Sequence, residues 1–302
     1  KIMLPTEQAL SMFAFSADAM GKADGHDGKG GDKDAANLLR ILTPVYKFRA
    51  CRDNIPVASQ ALEVRGGIGY IEEWVTARLV RDAQIGTLWE GTSNINALDV
   101  VQRAVGKAGG HKTLSAALKG RIESSGSVPG QYKGLLGAAL DRVERFAEAV
   151  AADPRHEKRA RMAAGALYHA TTAALLAWEG ATLGANGGDA RRLLLSRLVI
   201  EHRLAPQDPL SLNESPWEQE AMDLLLSDAP VPLAAGTVAS AAALTFWGFL
   251  GVESATVPAD RMHDPARTVP RATLIGTAAV GAIYLAVSSA ITALLEICWM
   301  CS

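Results

Sequence analysis

The chain has 302 residues, with 30 basic side chains against 32 acidic ones for a net charge of −2, and 49% of it is hydrophobic. That balance supplies no overall basic field for nucleic acid or an acidic membrane surface, and three cysteines are too few to staple a chain of this length, which fits a reducing compartment. The composition divides in two: charges of both signs interleave with apolar residues over 1–228, whereas 229–302 is poor in charge and rich in Ala, Val, Leu and Gly.

The first residues, Lys1-Ile2-Met3-Leu4-Pro5, show neither an initiator methionine nor an apolar leader pattern and read as an internal start. Residues 6–20 place Leu10, Phe13, Ala14 and Ala17 on one face, which predicts a helix with Thr6 as its N-cap. Residues 21–33 are rich in glycine and charge and read as a loop. Lys29 is followed by glycine, so the spacing of a phosphate-binding P-loop is absent. A long helix is predicted from Asp34 or Ala35 to Val64, with Leu38, Ile41, Leu42, Val45, Phe48, Leu62 and Val64 as its apolar stripe and Pro44 and Pro56 as kinks or breaks.

After a glycine turn at 65–70, a short helix is expected over 74–82. A further helix, capped by Thr92 or Ser93, carries Ile95, Leu98, Val101 and Val105 on one side and is stopped by Gly109-Gly110. Three more helices are predicted over 131–152, 154–182 and 189–203. No strand pattern competes, so 1–205 reads as an all-α antiparallel helical bundle. Further on, 233–252 and 272–295 are each about twenty or more residues without a charge, long enough to span a bilayer core as a transmembrane-like hairpin. Arg261, Arg267 and Arg271 lie between them, which favours a cytoplasmic loop. Cys298 and Cys301 form a CxxC with no second pair of ligands near it in sequence, and no metal site is expected.

The residues that point to chemistry are Trp89-Glu90-Gly91-Thr92-Ser93-Asn94, where one carboxylate stands just before a helix. The helix dipole favours the charge of such a group, and burial against an apolar ligand opposes it, so Glu90 is a candidate proton-abstracting base. A plain first-turn residue that stabilises its own helix would look the same on spacing alone. Upstream, Arg65-Gly66-Gly67-Ile68-Gly69-Tyr70 allows backbone to come close to whatever lies beside it.

Together these two elements resemble the C-terminal domain of acyl-CoA dehydrogenases, and the resemblance covers 1–228. It implies that Glu90 removes the α-proton of an acyl-CoA thioester while the flavin of FAD takes a hydride from the β-carbon. It also implies that Glu90 and Gly91 border the substrate, and that Thr92, Ser93 and Asn94 contact the flavin. Glu63, Val64, Arg65, Gly66 and Gly67 would meet the adenosine diphosphate part of FAD across a subunit interface, hence a homo-oligomer, with Glu63 standing where glutamine is common. Trp89 before the glutamate, Ile95 to Val100 after it, and the extra helices resemble the AidB-like branch, which implies a DNA-associated alternative through Arg142, Arg145, Arg155, Lys158, Arg159, Arg161, Arg191, Arg192 and Arg197. Acidic residues among these arginines favour a solvated surface instead.

The tail is similar to another family. Thr245 to Ala255 with Asp264 to Pro270 resembles a membrane helix and loop of amino-acid/polyamine antiporters, in which Trp247 would line the substrate path and Glu253 lie toward the cytoplasm. The expected divisions are a bundle at 1–110, an added AidB-like helical region at 111–228 and a permease-like apolar hairpin at 229–302, with 1–228 cytoplasmic and membrane association through 233–295. The chain is expected to be a rearranged product with weak or no dehydrogenase activity by itself, the alternative being a membrane fragment of a permease.

Overall fold

A computed structural model describes residues 2–25, 31–186, 188–205 and 225–226. Among them every regular element is helical, as the periodicity predicts. Helix α1 (Met3–Ala23) begins before Thr6, whose hydroxyl donates to the Ile2 carbonyl at 3.0 Å rather than capping the helix. Helix α2 (Lys33–Val64) is started by Asp32, whose carboxylate accepts from the N–H groups of Asp34 (2.8 Å) and Ala35 (3.3 Å).

Pro44 and Pro56 do not break α2, which continues through both for 32 residues. An interior proline removes one helical hydrogen bond and crowds the carbonyl four residues back, at about 3 kcal/mol. Leu38, Ile41, Leu42, Val45 and Phe48 are all buried beside Pro44, and that packed face offsets the loss.

Helices α3 (Gly67–Tyr70), α4 (Val75–Ile85) and α5 (Ser93–Leu98) follow, and α5 runs directly into a π-helical stretch, Asp99–Lys107. The wider turn changes the buried set. Ile95, expected to face inward, is 59% exposed, while Ala97, Val100, Val101, Ala104 and Val105 are buried. Arg40 of α2 clasps Asp99 where the π stretch begins, with two bonds of 3.1 Å.

Helix α6 (Gly110–Ser124) is not anticipated by the sequence pattern. Gly109, at φ +64°, ends the preceding helix, but Gly110 opens a new one that buries His111, Leu114, Leu118 and Ile122. Helix α7 (Gly130–Ala152), a 3-10 turn (Pro154–Arg159), α8 (Ala160–Ala185) and α9 (Arg191–Val199) match the three remaining expected helices.

Helix α8 is the centre of the bundle and packs against α1, α2, α5, α6, α7 and α9. Its sequence explains this: small alanines recur along it, so neighbours approach closely, and Tyr168, Leu175 and Leu176 fill the space between them. One hydrophobic core joins residues of α1 and α2 to residues of α7, α8 and α9.

The core also holds a polar seam. The Gln8 amide donates to Thr172 Oγ1 (2.6 Å) and meets His169 Nδ1 at 3.1 Å, which makes that ring nitrogen the acceptor. Burial, followed by the charges of Arg49 and Arg203, lowers the His169 pKa to about 3. On the surface, Arg155 pairs with Asp153, Arg191 with Asp189, Arg192 with Glu7 and Glu179, and Arg197 with Glu201. Four of the nine residues named for a basic face are therefore neutralised by acids.

Among the described residues no helix is long and apolar enough to cross a membrane. The segments 233–252 and 272–295, Trp247, Glu253 and the Cys298/Cys301 pair lie outside the described residues.

Because His169 is neutral in the fold and has a reference value of 6.5, the unfolded chain binds its proton first as pH falls. Stability from this site is full above pH 6.5 and declines as pH drops toward 3, with a limiting slope of about 1.4 kcal/mol per pH unit. Denaturant titrations at pH 7.5 and 5 should show that loss in the wild type and a smaller one in His169→Gln; equal slopes would contradict the assignment.

Candidate functional site

The turn between α4 and α5 is built from two consecutive residues with positive φ, Glu90 at +51° and Gly91 at +96°. Glycine adopts that region without strain, but a glutamate there is uncommon and is held by its surroundings. The Asn96 side chain supplies part of the hold, donating to the carbonyls of Gly91 (2.7 Å) and Thr92 (3.2 Å). Thr92 occupies the cap position of α5 but its side chain makes no capping bond, and Ser93 does not cap either. The Ser93 hydroxyl instead accepts from Arg52 Nη1 at 3.1 Å.

The turn is therefore docked on the middle of α2. Lys47 Nζ stands 3.3 Å from Glu90 Oε2 and 5.8 Å from the centre of the Trp89 ring. One helical turn further, Cys51 presses its sulfur against Gly86, where an added Cβ would sit 3.3 Å away. Burial pushes the Cys51 thiol up, while the neighbouring Lys47 ammonium acts in the opposite sense, so it is not an activated nucleophile. Burial, then the charges of Arg161 and Arg49, push the Arg52 guanidinium down from its ordinary value. Lys47, Cys51 and Arg52 carry no motif of their own in the sequence. Their only signal is polar residues spaced i, i+4 and i+5 beside an apolar stripe, with partners such as Ser93 lying 41 residues on.

The glycine turn lies elsewhere. Glu63, Val64, Arg65, Gly66 and Gly67 are all exposed around the C-terminal end of α2, roughly 24 Å along the helix axis from Lys47 at 1.5 Å per residue. Gly69 fits tightly there, since a Cβ would collide with the Leu62 carbonyl, and Thr76 Oγ1 donates to its carbonyl at 2.8 Å. The structure thus brings Glu90, Gly91, Thr92, Ser93 and Asn94 together and leaves Glu63 to Gly67 as a separate group. An apolar cleft of about 450 Å³, bordered by Met3, Gln60, Glu63, Val64, Leu195 and Leu198, belongs with the second group.

Around Glu90 the surface is open. Its side chain is 46% exposed, Thr92 and Asn94 are exposed, and the buried indole N–H of Trp89 has no hydrogen-bond partner among the described residues. In the sequence between the glycine turn and the Glu90 turn, Ile68, Tyr70, Trp74, Leu79 and Leu88 are also exposed.

Residues 6–105 match the family described as "Acyl-CoA dehydrogenase, C-terminal domain". "Acyl-CoA dehydrogenase family member 11" of Caenorhabditis elegans is 28% identical over 242 residues, 76% of this chain and 36% of the relative. "Putative acyl-CoA dehydrogenase AidB" of Escherichia coli is 41% identical over 86 residues, 28% of this chain and 16% of the relative. The chain thus spans about a third or less of these relatives. The crystal structure of Caenorhabditis elegans ACDH-11 in complex with C11-CoA superposes with a TM-score of 0.56 at 22% identity, covering 75% of this chain and 38% of that one, which shows a shared fold. A short stretch of 49 residues, 16% of this chain and 11% of the relative, is 43% identical to the "Cadaverine/lysine antiporter" of Escherichia coli.

Glu90→Gly and Glu90→Ala both delete the pair with Lys47, but only glycine relieves the positive φ. Thermal or denaturant unfolding should find Glu90→Gly the more stable of the two by about 1 kcal/mol. Equal stability would mean that the turn carries no strain.

Proposed function

With residues 6–105 matching the C-terminal domain of acyl-CoA dehydrogenases, we propose that 1–228 is the helical part of an FAD-dependent oxidoreductase of that type. In this reading 1–110 carries the site, 111–228 is an added region of the AidB-like kind, and 229–302 is a permease-like tail. The observation that carries the reading is the placement of Glu90, a half-exposed carboxylate held on a strained turn at the edge of an open surface.

The residues present fit a flavin as one wall of its site. Thr92 and Asn94 are free to face a ligand, and the Trp89 indole N–H is buried and unmatched. Glu63, Val64, Arg65, Gly66 and Gly67 would hold the adenosine diphosphate end, and their distance from Glu90 supports contact with the cofactor of a second copy. Bound FAD supplies the hydride acceptor for the substrate β-carbon. Glu90 takes the α-proton onto its carboxylate, and the C–H electron pair becomes the new double bond between the α and β carbons. The Glu90 N–H, in the turn ahead of α5, would donate to the thioester carbonyl and stabilise the negative charge that develops there. The exposed apolar residues near this turn support a homo-oligomeric or multidomain setting in which the acyl chain is shielded from water.

The added helices offer less to DNA, since Arg155, Arg191, Arg192 and Arg197 are already paired. The likeness of the 49-residue stretch to an antiporter supports a permease-derived segment in the chain.

Proton abstraction is testable apart from oxidation. Incubated with butyryl-CoA and FAD in heavy water, the full chain should place deuterium on the α-carbon, and Glu90→Gln should slow this by about 100-fold or more. Exchange at the wild-type rate in Glu90→Gln would remove Glu90 as the base.

A further inference from the structure

Glu90 is held at its Oε2, which lies 3.3 Å from Lys47 Nζ, and its side chain is 46% exposed. Lys47 is itself well fixed: its side chain is 13% exposed, it rises from the packed middle of α2, and its ammonium lies between the Trp89 ring at 5.8 Å and the Cys51 thiol. The cation is therefore the rigid member of the pair and the carboxylate the adjustable one.

We propose that Lys47 is the positioning residue for Glu90, tethering one carboxylate oxygen so that the other is presented toward the open side of the turn. This rests on the reading of Glu90 as the base. A base works best when a further group orients it, and here the orienting group is a cation on a different helix, which also opposes the strain of the positive φ at Glu90. Arg52, one turn along α2, bonds Ser93 in the same way, so α2 holds the turn at two points. The Glu90 end of the pair is half-exposed, and ion pairs open to water contribute at most about 1 kcal/mol, a factor of about five in rate. Lys47 is thus a tuning element and its loss leaves a slower base rather than none.

The test uses the full chain as wild type, Lys47→Met, Lys47→Arg and Glu90→Gln. In protein labelled with nitrogen-15 lysine, the Lys47 ammonium resonance, assigned by its absence from Lys47→Met, should shift in Glu90→Gln. With butyryl-CoA in heavy water, Lys47→Met should slow saturated α-exchange by about five-fold with the half-saturating concentration unchanged, and Lys47→Arg should return within about two-fold of wild type. An ammonium resonance indifferent to Glu90→Gln would overturn the tether. So would Lys47→Met exchanging as fast as wild type, or Lys47→Arg as slow as Lys47→Met. Absence of exchange in the wild type would instead overturn the base itself, and the inference with it.

Discussion

The continuity of α2 is the constraint on which the rest of the described structure depends. One face of the helix, from Leu38 to Phe48, is buried in the core, and an adjacent face carries Lys47, Cys51 and Arg52 to the turn that holds Glu90. A break at Pro44 would separate Arg40, which clasps Asp99, from Lys47, which meets Glu90. Both contacts reach the same downstream segment, so its register on α2 requires one unbroken rod. The two prolines are tolerated because apolar burial along the helix outweighs two lost hydrogen bonds.

The same rod explains why the site comes in two parts. At 1.5 Å per residue along an unbroken α2, the glycine turn past Val64 stands well away from the Glu90 turn within one copy. A ligand long enough to use both groups would have to bridge copies or reach along the exposed apolar surface between them. Val64, at 81%, and Leu88, at 67%, are both exposed. Shared fold with a solved relative supports this architecture, while the chemistry rests on the particular residues around Glu90.

Much of this was legible in the sequence, for identifiable reasons. Helices α7 and α8 carry long periodic stripes and Pro154 marks a helix start, whereas Asp32, the cap of α2, lies ahead of the start read at Asp34 or Ala35. Helix α6 was hidden because Gly109-Gly110 has the signature of a stop, and only the packing of His111, Leu114 and Leu118 reveals the new start. Ile95 was misplaced because a π-helical turn alters the period on which the reading depends. Thr92 and Ser93 read as caps, yet Ser93 has a stronger partner in Arg52 from a distant part of the chain. Glu90 could be named from its motif, whereas Lys47 could not, since only the tertiary fold brings a lysine of α2 beside it.

The central claim is that the turn after α4 presents Glu90 to a thioester. Its most direct test is a crystal structure of the full-length Glu90→Gln chain with FAD and butyryl-CoA bound. The account predicts the residue 90 side chain at about 3 to 3.5 Å from the substrate α-carbon, with Lys47 still beside it. Butyryl-CoA seated in the cleft beside Gln60, or anywhere that leaves residue 90 facing solvent, would contradict it.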